Sequence, residues 1–208
     1  MEFWKRYHSR TKKRDTNETI TIGIMGTGKG CGVTHFSILF ANYLSAVEME
    51  KTAVLEWNKH CALEDMVKVC TGITPKQKPV SVLDVDYFFR GGADELEFCL
   101  QKGYGAVVLD LGSVEDGRTA EFLQCRMQCL IGALNEWKLT EWLSRKEWML
   151  KGKGSWNFLM TFGSEIARRE INRRFGLAIQ VIPYSPDVFS IDPQMAEFLN
   201  KLWRKKIK

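Results

Sequence analysis

The stretch that decides the fold runs from residue 19 to residue 35 and reads TITIGIM-GTGKGCG-VTH. Its first part, Thr19 to Met25, is rich in β-branched residues and predicts a buried strand. The glycine cluster at residues 26–32 predicts a tight loop, and the apolar residues between Phe36 and Leu44 recur at helical spacing. A strand, a glycine loop and a helix in this order predict the opening unit of a phosphate-binding α/β fold.

The rest of the chain continues the alternation of strands and helices. Further strands are predicted at residues 51–57, 80–87, 106–110, 129–133, 156–162 and 178–182. Helices are predicted at residues 61–69, 93–102, 119–128, 139–151, 165–175 and 194–205. We therefore expect a three-layer α/β fold, with a mostly parallel, twisted sheet of about seven strands and helices on both faces. No composition shift or repeat divides the chain, so we expect a basic tail over residues 1–18 and a single domain over residues 19–208.

Composition narrows the class of protein. The chain has 208 residues, of which 45% are hydrophobic, and this fits a globular domain with a proper core. No apolar run approaches the roughly 20 residues that a membrane-spanning helix needs, and the N-terminal residues lack the apolar stretch of a secretory signal. The six cysteines include no C-x-x-C pair, which argues against a zinc site or a disulfide framework and favours a reducing, cytoplasmic setting.

The positive charge is concentrated at the two ends of the chain. The net charge is +5, and the basic residues cluster within residues 1–14 and 197–208, so the body between them is mildly acidic. A protein that binds DNA through its body is expected to show the opposite distribution, and we therefore expect no DNA partner. Basic ends fit an anionic membrane surface or an acidic partner, and they also favour solubility.

The glycine loop fits the phosphate-binding pattern G-x-x-x-x-G-K-[ST] only in part. Gly32 takes the position of the second glycine, and Thr34 takes the position of the hydroxyl that binds Mg²⁺. Thr27 replaces the first glycine, and Val33 stands where the phosphate-binding lysine is expected. Lys29 lies inside the loop instead, so the lysine of the pattern is missing from its usual place.

The segment KGCGVT, residues 29–34, resembles the K-G-G-x-G-K-[ST] loop of MinD/ParA-type ATPases (the SIMIBI class), shortened by one residue. Three more segments resemble that family in the same order along the chain. Residues 104–112 resemble its strand that ends in an acid and then glycine, and residues 54–58 resemble its second strand, which ends in a D-x-D motif. Residues 182–187 resemble its I-P-x-x-P turn beside the adenine pocket. Glu56 and Asn58 depart from the D-x-D aspartates.

The resemblance implies a site for ATP or ADP with Mg²⁺. Within it, Thr34 and Asp110 would hold the metal, Glu56 would orient the attacking water, and Lys29 would contact the phosphates. The residues that the resemblance places around the nucleotide are Thr27, Gly28, Lys29, Gly30, Cys31, Gly32, Val33, Thr34, His35, Gly112 and Pro183. Because Val33 carries no charge, we expect slow hydrolysis or none: losing one cation that stabilises the transition state costs about 10²–10³-fold in rate.

Three functions stay open at this point. The first is a nucleotide-binding switch that forms a homodimer and positions a membrane-associated assembly of other proteins, as implied by a resemblance to the TadZ/CpaE pilus-assembly branch. The second is a non-catalytic scaffold of the same fold that binds a protein partner and no nucleotide. The third is an active kinase or ATPase that uses Lys29.

The last predicted helix has two interpretations. Phe198, Leu199, Leu202 and Trp203 share one face, and basic residues surround the other. This pattern is typical of helices that lie on an anionic membrane, and MinD resembles it in ending with such a helix. The chain would then be peripheral at the inner face of the membrane, helped by a second aromatic and basic patch at residues 3–7. Alternatively, the apolar face packs the helix onto the sheet.

Overall fold

The computed structural model describes residues 18–72, 74 and 76–207, and for residues 206 and 207 it describes the backbone only. The basic tail and the aromatic patch predicted at residues 3–7 therefore lie outside the described residues, apart from Glu18. In the described part, eight strands form one sheet: β1 Ile20–Gly26, β2 Thr52–Glu56, β3 Val80–Val82, β4 Val85–Phe88, β5 Ala106–Ser113, β6 Met127–Leu134, β7 Asn157–Gly163 and β8 Ile179–Val181.

Eight α-helices connect these strands within the described residues. They are α1 Val33–Ala46, α2 Ala62–Thr71, α3 Ala93–Gln101, α4 Thr119–Gln124, α5 Leu139–Ser144, α6 Lys146–Lys151, α7 Glu165–Phe175 and α8 Pro193–Ile207, and a short 3₁₀ helix covers Val114–Asp116. No helix among the described residues is long and apolar enough to cross a membrane.

The strand order is β3-β4-β2-β5-β1-β6-β7-β8, and every described pair is parallel except β3 with β4. Helices α1, α2 and α8 contribute buried side chains to one face of the sheet. Helices α3 to α7 contribute to the other face. The predicted three-layer, mostly parallel α/β fold is therefore confirmed.

The strand order reverses beside β1, which lies at the centre of the sheet. Strands β2 to β5 lie on one side of β1, whereas β6, β7 and β8 lie on the other side. In open α/β sheets, a crevice for ligands opens at such a point, outside the carboxyl ends of the strands. The glycine loop that follows β1 is placed at that crevice.

Three predicted elements differ from the observed ones. Residues 80–87 form a hairpin rather than one strand, because Leu83 and Asp84 both adopt positive φ and turn the chain back; this raises the strand count to eight. The helix predicted at residues 119–128 ends at Gln124, because Met127 already belongs to β6. The helix predicted at residues 139–151 is interrupted at Arg145, whose side chain contacts the glycine loop.

The closing helix α8 packs against α1, within the core on one face of the sheet. Leu199, Leu202 and Trp203 are almost completely buried, and Phe198 contacts Phe36 of α1 edge to face. Arg204 pairs with Glu48 at 3.1 Å and adds a polar contact to the same interface. The structure therefore shows the second interpretation, in which the apolar face packs within the domain: Leu199, Leu202 and Trp203 are not available to a lipid bilayer in this arrangement, and Phe198 is half-buried.

Helix α7 bonds to the outer edge of the sheet at Ile179 of β8. Arg168 donates from Nη1 to the carbonyl oxygen of Ile179 in β8 at 3.0 Å. Asn172 accepts a hydrogen bond from the N–H of Ile179 at 3.2 Å. The backbone groups of Ile179 that point away from β7 are thus bonded to side chains of the helix.

A candidate phosphate-binding site

The loop between β1 and α1 presents a row of backbone N–H groups. Gly30 and Gly32 adopt left-handed conformations, with φ of 74° and 85°. Gly32 caps α1 without a side-chain hydrogen bond, and the first turn of α1 contains no acid. Among the described residues, no acceptor takes a hydrogen bond from the N–H groups of residues 28–34. Unpaired amides at a helix N-terminus attract an anion.

The carbonyl oxygens on the outer side of the loop are held by side chains from distant segments. Arg145 donates to the Thr27 oxygen at 2.9 Å, Lys138 donates to the Lys29 oxygen at 3.1 Å, and the Thr161 hydroxyl donates to the Cys31 oxygen at 3.2 Å. The Thr27 N–H is fixed by β6, through the carbonyl oxygen of Ile131 at 2.8 Å. These contacts fix three alternate carbonyl groups of the loop. The N–H groups of residues 28–34 have no acceptor among the described residues and can therefore bind a ligand.

A cavity of about 410 Å³ lies in front of these amides. It is open, and the loop has not collapsed onto itself. The residues that line it are Gly28, Lys29, Gly30, Cys31, Gly32, Val33, Thr34, His35, His60, Ala62, Gly112 and Ser113. Its size and its donors suit a chain of phosphate groups.

The predicted metal ligands, Thr34 and Asp110, lie next to each other. The Thr34 hydroxyl donates to Asp110 Oδ2 at 2.6 Å. Asp110 Oδ1 accepts from Asn58 Nδ2 at 2.9 Å and from the Gly112 N–H at 3.1 Å. Burial raises the pKa of Asp110, and the three hydrogen bonds oppose that rise by favouring the ionised form.

The chemistry of this pair fits a small, hard cation. A hydroxyl and a carboxylate are oxygen ligands of the kind that Mg²⁺ prefers, and Mg²⁺ in nucleotide sites takes its other ligands from water and phosphate. No group of three or more His, Cys, Asp or Glu residues gathers among the described residues.

Glu56 lies beside Asp110, opposite it in the pairing of β2 with β5. Its carboxyl group is buried, and Oε1 accepts a hydrogen bond from the Leu63 N–H at the start of α2 at 3.1 Å. Oε2 is buried and has no hydrogen-bond partner among the described residues. Burial raises the pKa of Glu56 to about 7. The predicted role in orienting water stays a prediction, because the observed contact of Glu56 is with the helix.

Position 33, where the lysine is missing, and Lys29 lie in different environments. Val33 is buried at the start of α1, with 8% of its surface exposed, so position 33 offers only an apolar group. Lys29 is exposed on the loop and lines the phosphate cavity. His35 lines both this cavity and a second one beside it.

Gly112 lies two residues after Asp110 in β5, where the register of β5 with β1 shifts. Its φ is +64°, and a Cβ there would come within 2.5 Å of Asp116 Oδ2 and 2.9 Å of the Asn58 Cβ atom. Burial acts to raise the pKa of Asp116, but hydrogen bonds from the N–H and hydroxyl of Ser113 outweigh it, and the pKa is lowered. Asp116 also lies 3.8 Å from His60 Nε2. A glycine is therefore required where this segment passes the phosphate cavity.

A second, mostly apolar cavity of about 310 Å³ adjoins the first. The two cavities share Gly32 and His35. Among the residues that line the second cavity are Phe36, Leu39, Phe162, Pro183, Tyr184 and Pro186. The segment at residues 182–187, which contains Pro183, thus borders a cavity of the size and character that a planar base needs.

Sequence reasoning missed the residues behind the loop. Lys138, Glu141, Arg145 and Thr161 touch the loop or its neighbours, yet they lie more than 100 residues from it in sequence. No short motif could have found them, since basic residues in a polar helical segment are ordinarily solvent-exposed. For Asn58, the sequence signal was its place in the D-x-D position, but its hydrogen bonds to Asp110 were not foreseen.

Comparison with known proteins identifies the fold. No family model matches the sequence, and no curated protein matches it significantly. Solved structures do match, among them a ParA family ATPase from Chlorobium tepidum TLS, with 14% identity, 91% of this chain and 94% of that chain covered, and a TM-score of 0.59.

Two further solved structures are similar over the same part of the chain. The MinD cell division protein of Aquifex aeolicus is 13% identical to this chain, with a TM-score of 0.61. The match covers 91% of this chain and 98% of the MinD chain. A plasmid partition protein from Borrelia burgdorferi B31, bound to AMPPNP, has 11% identity, covers 91% and 99%, and has a TM-score of 0.63. The chain therefore has the fold of the ParA and MinD ATPases.

Proposed function

We propose that this chain is a nucleotide-binding switch, which holds ATP or ADP together with Mg²⁺ and hydrolyses ATP slowly or not at all. One observation carries the proposal: the unpaired N–H groups of residues 28–34 face an open cavity that continues into an apolar cavity. The first would bind the phosphates and the second the base. The AMPPNP bound to the similarly folded plasmid partition protein supports the same assignment.

Each group in the site has a definite task in this proposal. The loop amides bind and orient the phosphates, and Thr34 and Asp110 would hold the metal, which supplies charge neutralisation when it is bound. Asn58 and the Gly112 N–H keep the Asp110 carboxylate in place. Hydrolysis is expected to be slow because Val33 brings no charge to the phosphates and because the contact of Glu56 is with the Leu63 N–H.

The proposal includes partners, since a switch acts through what it binds. MinD of Aquifex aeolicus has been solved in a complex with MinC, with a TM-score of 0.54 to this chain. We propose that this chain likewise engages another protein and, as the family resemblance implies, that it forms a homodimer with nucleotide. The proposal stops short of pilus assembly, because no described residue distinguishes that branch.

The test is a calorimetric titration of the full chain with ATP, ADP and adenosine, with and without Mg²⁺. A matched pair of variants controls for backbone strain. Gly30→Ala and Gly154→Ala both add a methyl group to a glycine with positive φ and open space around it, but only Gly30 belongs to the loop. We expect Gly30→Ala to weaken ATP binding at least tenfold, roughly 1.4 kcal/mol, whereas Gly154→Ala binds like the wild type.

The outcomes separate the three functions. No binding of the wild type at millimolar ATP with Mg²⁺ rejects the switch and favours the scaffold. Steady turnover that Lys29→Ala abolishes favours the active enzyme. Sedimentation with ATP, ADP and no nucleotide then tests the dimer, which should form with ATP.

A further inference from the structure

Positive charge is present on the outer side of the phosphate loop, although it is missing at position 33. Two cationic side chains contact the loop there, Lys138 through the Lys29 carbonyl oxygen and Arg145 through the Thr27 carbonyl oxygen. Both are partly buried, each with 26% of its side chain exposed. The hydrogen bond to Glu141 raises the pKa of Lys138, so its ammonium group stays charged.

A cation on a peptide carbonyl acts on the amide of the same peptide group. The carbonyl of Thr27 and the N–H of Gly28 share one planar, resonance-coupled unit, and so do the carbonyl of Lys29 and the N–H of Gly30. Polarisation along such a chain strengthens the next hydrogen bond by perhaps 10–30%. The positive ends of these two peptide groups lie among the amides that face the phosphate cavity.

We propose that Lys138 and Arg145 are positioning residues that supply, from behind the loop, the positive charge that Val33 does not supply inside it. This inference rests on the proposed nucleotide binding and specifies which residues tune it. Arg145 also reaches Glu115 at 3.5 Å, in the 3₁₀ helix that follows β5. It thereby joins the loop to the second segment that borders the phosphate cavity.

Acidic neighbours reduce the charge that the loop experiences. Lys138 bonds to Glu141 Oε1 at 2.7 Å, and the other oxygen of Glu141 is buried without a partner among the described residues. That carboxylate lies so close to Gly28 that a Cβ at Gly28 would collide with it. Removing the charge of Glu141 should therefore act in the opposite direction from removing the charge of Lys138.

The experiment compares ATP affinities of full-length variants by calorimetry with Mg²⁺ present. We expect Lys138→Ala and Arg145→Ala each to weaken ATP binding about tenfold. Arg145→Lys keeps the charge and should weaken binding less than Arg145→Ala does. Glu141→Gln should tighten binding about threefold. Adenosine affinity should stay the same in all of them. Lys146→Ala is the matched control. Lys146 is next to Arg145 in sequence and is exposed, so this variant also removes one positive charge.

Amide chemical shifts of the nucleotide-free protein provide the second readout. The Gly28 amide should move upfield in Arg145→Ala and the Gly30 amide in Lys138→Ala, with neither moving in Lys146→Ala. Equal ATP affinities of the two alanine variants and the Lys146→Ala control overturn the inference, as does weaker binding in Glu141→Gln, which a purely structural role would give. A wild type that binds no ATP instead defeats the proposed function itself, so the two failures are distinguishable.

Discussion

The hydroxyl of Thr34 donates a hydrogen bond to the carboxylate of Asp110 at 2.6 Å, although 76 residues separate them in sequence. The contact joins the first turn of α1 to the carboxyl-terminal half of β5. It places a hydroxyl and a carboxylate side by side at the centre of the sheet, where we propose that Mg²⁺ binds.

The first prediction concerns Val33. Replacing it by lysine should tighten ATP binding about tenfold, because an ammonium group at the start of α1 can extend toward the phosphates. Val33→Met is the control, since it adds comparable length without charge. Calorimetry with Mg²⁺ measures both variants. Equal affinities for them would contradict the view that the loop lacks a cation at this position.

A second prediction concerns Asn58. Asn58→Asp replaces the amide that donates to Asp110 by a second, partly buried carboxylate, which would then face the buried carboxylate of Asp110. The free energy of unfolding at pH 8 should fall by about 3 kcal/mol without Mg²⁺ and recover partly with it. Asn58→Ala removes the donor without adding charge and should cost less. If urea denaturation gives the two variants the same stability at pH 8 without Mg²⁺, the repulsion argument is wrong.

Glu56 predicts how stability depends on pH. Its pKa rises from 4.5 in the unfolded chain to about 7 when buried, so the folded protein binds the proton more tightly. The resulting stabilisation is complete below about pH 4.5 and is lost as the pH rises to about 7, a contribution of about 3 kcal/mol.

Glu56→Gln should remove this contribution to the slope while keeping the acceptor for the Leu63 N–H. Buried Asp110 also has a raised pKa, so part of the slope will remain. Urea denaturation between pH 4.5 and pH 8 measures the change. A wild type and a Glu56→Gln variant with parallel profiles would show that the Glu56 carboxyl is not buried as described.

The final prediction concerns helix α8. Trp203→Ala should lower the free energy of unfolding by about 3–5 kcal/mol, because the side chain is almost completely buried. Lys201→Ala should change it by less than about 0.5 kcal/mol, since Lys201 is exposed and pairs only across the surface with Glu197. Denaturation measures both variants. Equal small effects would return the helix to the membrane-binding interpretation.

The sequence predicts the centre of the molecule well, because local signals coincide there. The β-branched run, the glycines and the helical spacing after residue 35 all belong to one continuous segment, and the structure confirms the strand, loop and helix that they predict. Asp110 and Thr34 are predicted as neighbours through a family resemblance, and the structure brings them together. The two residues meet because β1, which leads into α1, pairs with β5, which carries Asp110.

The periphery is less predictable, because tertiary contacts decide it. The break at Arg145 comes without glycine or proline, at a residue that also bonds to the loop. The closing helix is amphipathic in either interpretation, and only the packing of Leu202 and Trp203 distinguishes them. A pattern of side chains along one helix does not specify which surface covers it.

The hydrogen bonds from Arg168 and Asn172 to Ile179 also matter for molecules that meet in solution. Exposed edge strands are templates on which another polypeptide can add itself as a further strand, and this is a common route to aggregation. At Ile179 the backbone groups that would begin such an addition are already bonded within the same molecule. Helix α7 thus blocks the addition of a strand at Ile179, in addition to packing on one face of the sheet.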